Sequence, residues 1–247
     1  MILILVCFIS LISYVYYHLK KNIKVDFKPD IVLSPGGYNG FYQLGICHYI
    51  KNNFTFDDKI IIGFSAGSWA GLFLCLNKEK SNECVRNIFK QINKCCRLSK
   101  IPSILKNAIE KYHYSDFNIK NLNIGMTNVH KKDICIHNDF LTIQDCINSC
   151  IGSAFVPYVT YNDLVYFYKN NFVLDGAIYY KKFIKEIDSN KTLVINSERF
   201  RSNYNKKRVP FMGLKKPKRT LYDLYILGYN NARNNHDYIK KYLHSDS

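Results

Sequence analysis

The chain has 247 residues, 47% hydrophobic and 15% aromatic, which is enough apolar material for one sizeable core and excludes a disordered chain. Lys and Arg number 35 against 19 Asp and Glu, and the resulting net charge of +16 favours anionic partners such as phospholipid headgroups, acidic proteins or nucleic acid. Its nine cysteines form no CxxC pair, which excludes a zinc pattern and a secreted disulfide framework and points to reduced, buried thiols in the cytosol.

The first 22 residues predict a membrane-anchor helix. Ile2 to Leu19 carry no Asp, Glu, Lys or Arg, and as a helix this run spans about 27 Å, close to the thickness of a bilayer core. Tyr14, Tyr16 and Tyr17 gather at its end, where an interfacial aromatic belt sits, and Lys20, Lys21 and Lys24 follow at once. A cleaved signal peptide has its basic residues before the apolar run and small residues at the cleavage site, and this segment has neither. The lysines orient the remainder, a single domain over 26–247, towards the cytosol.

In the body, Val25 to Ser34 ends in a β-branched run and predicts a strand. The glycine loop "PGGYNG" follows. Then Phe41, Leu44, Gly45, His48 and Tyr49 fall at helical spacing. Lys59 to Phe64 predicts the second strand and Ala66 to Leu76 the second helix, giving a βαβα opening of the kind that builds a mostly parallel sheet between helices. Residues 82–111 read as helical, broken near Pro102. Leu122 to Val129 and Asp133 to His137 read as strands, and Thr142 with Asp145 as the capping box of a helix to Cys150. Two strand-like runs flank Lys169-Asn170-Asn171, a hairpin turn. A β-rich run covers 192–197, a basic loop covers 199–219, and Leu221 to Leu243 predicts a final helix.

The chemistry concentrates at Gly63-Phe64-Ser65-Ala66-Gly67, a GxSxG between a predicted strand and helix. Glycines two residues either side leave room for a strained backbone at Ser65, and the following helix N-terminus favours developing negative charge. A nucleophilic serine also needs an oxyanion hole and a base. Gly36 and Gly37 can bring bare N–H groups to a substrate oxygen, and Gly40 lets the next helix begin tightly. A glycine loop can also hold a nucleotide, but neither GxGxxG nor GxxxxGK[ST] is present. The strongest acid is Asp175 of "VLDGA", which ends a strand, with Gly176 turning the chain away. A histidine-dependent α/β-hydrolase would need His236 or His244, the only histidines after that acid. Trp69 reads as core packing or as the wall of an acyl pocket. No nucleic-acid-binding motif accompanies the basic segment 199–219, whose Phe200, Tyr204 and Phe211 suit an anionic membrane surface or a solvated loop equally.

"PGGYNG", "GFSAG" and "DGA", in that order, resemble the motifs of the patatin-like phospholipases, and "SCIGSAFVPYV" at 149–159 resembles the small-residue segment before that family's DG motif. The resemblance covers Asp30 to Ala177. It implies a three-layer α/β sandwich and a lipid acyl-ester hydrolase that needs no metal or cofactor, acting on membrane phospholipid or acylglycerol. It implies a Ser–Asp dyad without histidine, with Ser65 as nucleophile, Asp175 as base and Gly36 and Gly37 as the oxyanion hole, Tyr38 a further donor. Pro35 stands where the family has its first loop glycine and, lacking an N–H, is no donor. Asn39 stands where the family often has a basic residue. The altered loop keeps open a lipid-binding protein of the same fold without activity.

Overall fold

The computed structural model describes residues 28–92, 96–196, 200, 214 and 217–243. β1 (Ile31–Leu33), β2 (Ile61–Phe64) and β7 (Leu193–Ile195) are buried along their whole length, as apolar strands in a sheet covered on both faces must be. β1 pairs in parallel with β2 and β7, and β2 in parallel with β3 (Leu122–Asn128). Beyond β3 the sense changes. β3 is antiparallel to β4 (Asp133–His137) and β6 (Asn171–Leu174), and β5 (Tyr166–Tyr168) is antiparallel to β6.

The fold is α/β, with helices on both faces, but the sheet is mixed and not mostly parallel as expected. Short turns decide this: the β3–β4 and β5–β6 connections return the chain at once, whereas a parallel partner needs a crossover of about a dozen residues or more. Lys169 and Asn170 have φ of 43° and 59°, the two left-handed residues of a type I′ hairpin turn. Asn171, expected in the turn, begins β6.

Strand alternation divides the core. Ile31 and Leu33 pack towards α1 (Gly40–Asn53), α2 (Ala66–Cys75) and α5 (Ile143–Ser153). Val32, Ile62 and Phe64 pack on the opposite face against Phe183 of α6 (Ala177–Phe183). The buried Lys51 of α1 donates to the carbonyls of Leu74 and Leu76, closing the C-terminus of α2 with a cation where the helix dipole favours one.

The helical stretch expected over 82–111 is two helices, α3 (Lys78–Gln91) and α4 (Ile101–Ile109). Pro102 does not break a helix; it lies in the first turn of α4, where a missing N–H costs nothing. The final helix is also two, α7 (Leu221–Asn234) and α8 (His236–Leu243), divided at Asn235. Asn235 donates its side-chain amide to the Asn231 carbonyl, the competition for backbone groups that makes asparagine a poor interior helix residue. α7 lies directly on α1, because a Cβ on Gly45 or Gly228 would stand 2.0 Å from the opposing helix's carbonyl oxygen.

All seven described cysteines are free, and all but Cys135 are buried. Burial pushes the Cys75 thiol up to about 12, far from a reactive thiolate. Among the described residues no helix is long and apolar enough to cross a membrane. The anchor expected over 1–22, most of the basic loop 199–219, Cys7, Cys95 and His244 lie outside the described residues.

Candidate active site

β2 and β6 meet head to head. β4 occupies one edge of β3 from Ile124 to Asn128, so β2 and β6 share the other. β2 runs up that edge and ends where Phe64 faces Gly125. β6 runs down it and ends where Leu174 faces Thr127. The next residue of each strand is Ser65 and Asp175, and they meet in the gap between. The Ser65 hydroxyl donates to Asp175 Oδ2 at 2.7 Å.

Ser65 is the pivot from β2 to α2, with φ 54° and ψ −124°. A residue with a Cβ adopts this conformation only under strain, and the surrounding packing enforces it. A Cβ on Gly63 would lie 2.5 Å from the Gly67 carbonyl oxygen, and one on Gly67 would lie 2.4 Å from the Leu33 carbonyl oxygen. The two glycines thus let α2 start against β1 and β2.

Asp175 is held from several directions. Its Oδ1 accepts the Ala177 N–H at 2.7 Å, its N–H donates to the Phe155 carbonyl, and its carbonyl accepts the Thr127 hydroxyl. Gly176 passes over β3 where a Cβ would lie 2.3 Å from the Gly125 carbonyl oxygen. Burial raises the Asp175 carboxyl to about 6, against the lowering effect of the Ala177 N–H and the Ser65 hydroxyl. That shift brings the carboxyl closer to neutrality than a free carboxylate, the feature that makes it a candidate for proton transfer.

Two supporting residues carry no signal that sequence reasoning recognised. Ser153, at the end of α5, accepts the Ser65 N–H at 2.8 Å and donates to the Gly125 carbonyl at 2.7 Å. Its only sequence trace is its place in the small-residue segment 149–159. The Ser153→Ala variant leaves a buried donor and a buried acceptor unpaired and is expected to cost about 2–3 kcal/mol. Thermal unfolding should fall by roughly 4–12 °C, and an unchanged melting temperature would remove this bridge from the account. Gln43, a polar residue in the buried face of α1, donates to the carbonyl and hydroxyl of Ser34 and fixes the start of the glycine loop.

That loop is a 3₁₀ turn over Gly37–Asn39 leading into α1. Gly37 has φ 51°, which glycine adopts without penalty. Gly37 and Gly40 line one cavity with Ser65 and Asp175. Gly36 is not part of its lining, and a Cβ there would meet the Gln43 amide at 2.9 Å. The first N–H groups of the turn, those of Gly37 and Tyr38, have no partner within it. The Tyr38 side chain turns away, its hydroxyl 3.4 Å from the Cys96 carbonyl.

The cavity encloses about 730 Å³ of empty space, a figure that includes open solvent at its mouth. Apart from Ser65, Asp175 and Thr160 its lining residues are the glycines Gly37 and Gly40 and apolar residues, including Phe41, Leu44, Trp69, Phe73 and Ile109. Trp69, 5% exposed, is packed in the core and also forms part of the cavity wall.

Among the described residues no histidine lines this cavity. His236 contacts the Tyr49 hydroxyl at 2.9 Å and stacks on Phe54. His48 is bonded to the Tyr225 hydroxyl beneath α7. No cluster of His, Cys, Asp or Glu among the described residues could hold a metal ion. No protein-family model matches the chain, and no curated protein matches it.

Proposed function

We propose that the chain is a lipid acyl-ester hydrolase of the patatin-like type, with a three-layer sandwich fold and a Ser65–Asp175 dyad. The observation that carries the reading is the 2.7 Å hydrogen bond from a strained elbow serine to a buried carboxylate, both on the wall of an apolar cavity.

The chemistry follows from that contact. Asp175 accepts the Ser65 proton as Oγ attacks the ester carbonyl, and the oxyanion turns to N–H groups of the glycine loop, where Gly37 lines the cavity and Gly36 enters by the family's pattern alone. Loss of one such donor costs about 3 kcal/mol of transition-state stabilisation. Collapse of the tetrahedral intermediate breaks the ester C–O bond, and Asp175 returns the proton to the leaving alcohol. Asp175 then takes a proton from water, the hydroxide attacks the acyl-enzyme, and the proton passes to Ser65 as the fatty acid leaves. Residues 1–22 serve as a tether that raises the effective concentration of the site at a membrane, with the body on the cytosolic side.

The test is release of free fatty acid by the full chain from phospholipid vesicles and triacylglycerol emulsions, with a soluble short-chain ester alongside. Release from at least one supports the reading. A folded chain inert on all of them favours the lipid-binding alternative.

The base must be ionised to act. Because burial raises Asp175 to about 6, kcat/KM on the soluble ester should rise tenfold per pH unit below about 6 and level off above it. A flat profile down to about pH 4 would exclude Asp175 as the base.

A further inference from the structure

The rim of the catalytic cavity carries apolar side chains that the core does not need. Residues 156–160 form a closed turn, with the Thr160 N–H donating to the Val156 carbonyl and the Thr160 hydroxyl accepting the Val156 N–H. Both ends of this turn, Val156 and Thr160, line the cavity. Tyr158 is its apex, held outward at φ 58° and 51% exposed.

The next strand pair carries two more on its other face: Tyr166, Tyr168 and Val173 pack into the core on the cavity side, so Phe167 and Phe172 project from the opposite face. Phe155 stacks on Tyr161 and packs against Tyr166 of β5, fixing the turn to the β5–β6 hairpin. On the hairpin Phe167 and Phe172 are cross-strand partners with ring centroids 5.4 Å apart, and they are 60% and 41% exposed. Leu164, between turn and hairpin, is 63% exposed. The hairpin stands at the catalytic end of the sheet, because the Val129 N–H, just past β3, donates to the Phe172 carbonyl. An exposed aromatic pair of this kind at the catalytic end of a sheet marks a contact surface.

Its surroundings are basic. The β3–β4 turn brings His130 against the Phe172 ring, and the exposed Lys131 and Lys132 follow directly. Neither lysine makes an ion pair within the described residues. Leu214 is part of the cavity wall, and the exposed Lys218 and Arg219 follow within five residues, a reach of at most about 18 Å. Against these four cations stand the exposed carboxylates Asp163 and Asp223. Asp133 is half-buried and accepts the Ile134 N–H, and Lys169 is neutralised by Asp139 and Asp145.

We infer that Phe167 and Phe172 insert into the headgroup layer of an anionic bilayer, with Lys131 and Lys132 on its phosphates, which brings the end of the sheet that carries Ser65 and Asp175 to the lipid. Exposed aromatics beside lysines are the combination that binds an anionic interface. The inference rests on the lipid-hydrolase reading for its purpose, and its test requires no turnover.

The experiment follows amide hydrogen exchange in the full chain carrying Ser65→Ala. The protein is compared free, with phosphatidylcholine vesicles, and with vesicles that also contain phosphatidylserine. Peptides covering 128–133 and 166–173 should slow on the anionic vesicles alone. Protection there should fall about 25-fold in Lys131→Ala/Lys132→Ala, at roughly fivefold per lysine. It should fall by at least tenfold in Phe167→Ser/Phe172→Ser, whose exposed positions leave the fold intact. Protein that sediments with anionic vesicles while these peptides exchange unchanged would overturn the inference. So would equal protection on phosphatidylcholine alone, or vesicle-independent protection that grows with protein concentration, which would indicate a second copy of the chain. Protection in a chain whose Ser65 form releases no fatty acid would uphold the docking surface and reject the hydrolase.

Discussion

Replacing Asp175 by asparagine is expected to lower acyl release by about 10⁴-fold and to make the protein more stable. The rate effect is the upper range for loss of a positioned general base. Asparagine keeps an acceptor for the Ala177 N–H, so the chain around it stays in place, but it cannot take the Ser65 proton. The stability effect has the opposite sign for a definite reason. Burial raises the folded Asp175 carboxyl from 3.8 to about 6, so the folded state holds its proton more tightly than the unfolded chain does. Stability from this group is therefore fully present below about pH 4 and is lost as pH rises through about 6. Asparagine carries no such cost at pH 7, a gain of up to about 3 kcal/mol. Ser65→Ala should abolish release to the same degree with a smaller change in melting temperature. Fatty-acid release and thermal unfolding at pH 5 and at pH 7, in roughly matched buffers, check both parts. A variant with the activity of the parent protein would remove Asp175 from the mechanism. A variant less stable at pH 7 would show that its bonds outweigh its burial.

Gly67→Ala is expected to damage the fold as well as the site. The added Cβ would stand 2.4 Å from the Leu33 carbonyl oxygen and 2.7 Å from that of Ser34. Both are backbone atoms at the end of a central strand, so no side chain can swing aside. Overpacking of this kind costs about 3 kcal/mol, which for a chain of this size lowers the melting temperature by roughly 6–12 °C. Relief requires α2 to move off β1, and that movement carries Ser65 away from Asp175. Activity at a temperature where the variant is folded should therefore fall along with stability. A variant with an unchanged melt would show that the approach of α2 to β1 is not tight. One that is destabilised but fully active would show that the elbow absorbs the shift without moving Ser65.

Local chemistry is legible along the chain wherever the signal is short in range. The β-branched runs at 31–33, 61–64 and 193–195, the helix start at Thr142 and the turn at Lys169-Asn170 all stand near their expected places, although the capping box is only half formed: Thr142 accepts the Asp145 N–H, while the Asp145 carboxylate takes the Leu141 N–H. Each depends on residues within a few positions of one another. The misreadings fall where neighbours compete. Asn235 divides the final helix by bonding to its own backbone, and Pro102 starts a helix in place of ending one. Propensity alone ranks these residues as poor helix formers and leaves open which end of a helix they occupy.

What the sequence by itself determined is the inventory: a serine between two glycines at a strand–helix corner, an acid at a later strand end, and a glycine loop before both. What only the tertiary structure decided is their relation. Ser65 and Asp175 are 110 residues apart and meet because β2 and β6 approach from opposite ends along one edge of β3. That meeting depends on β6 being antiparallel, a consequence of hairpin closure that no periodicity in β6 itself encodes. The same holds for Ser153 and for the Gly45–Gly228 crossing. A strand's alternation specifies which face is buried, not which strand lies beside it, and only packing of the whole chain settles that choice.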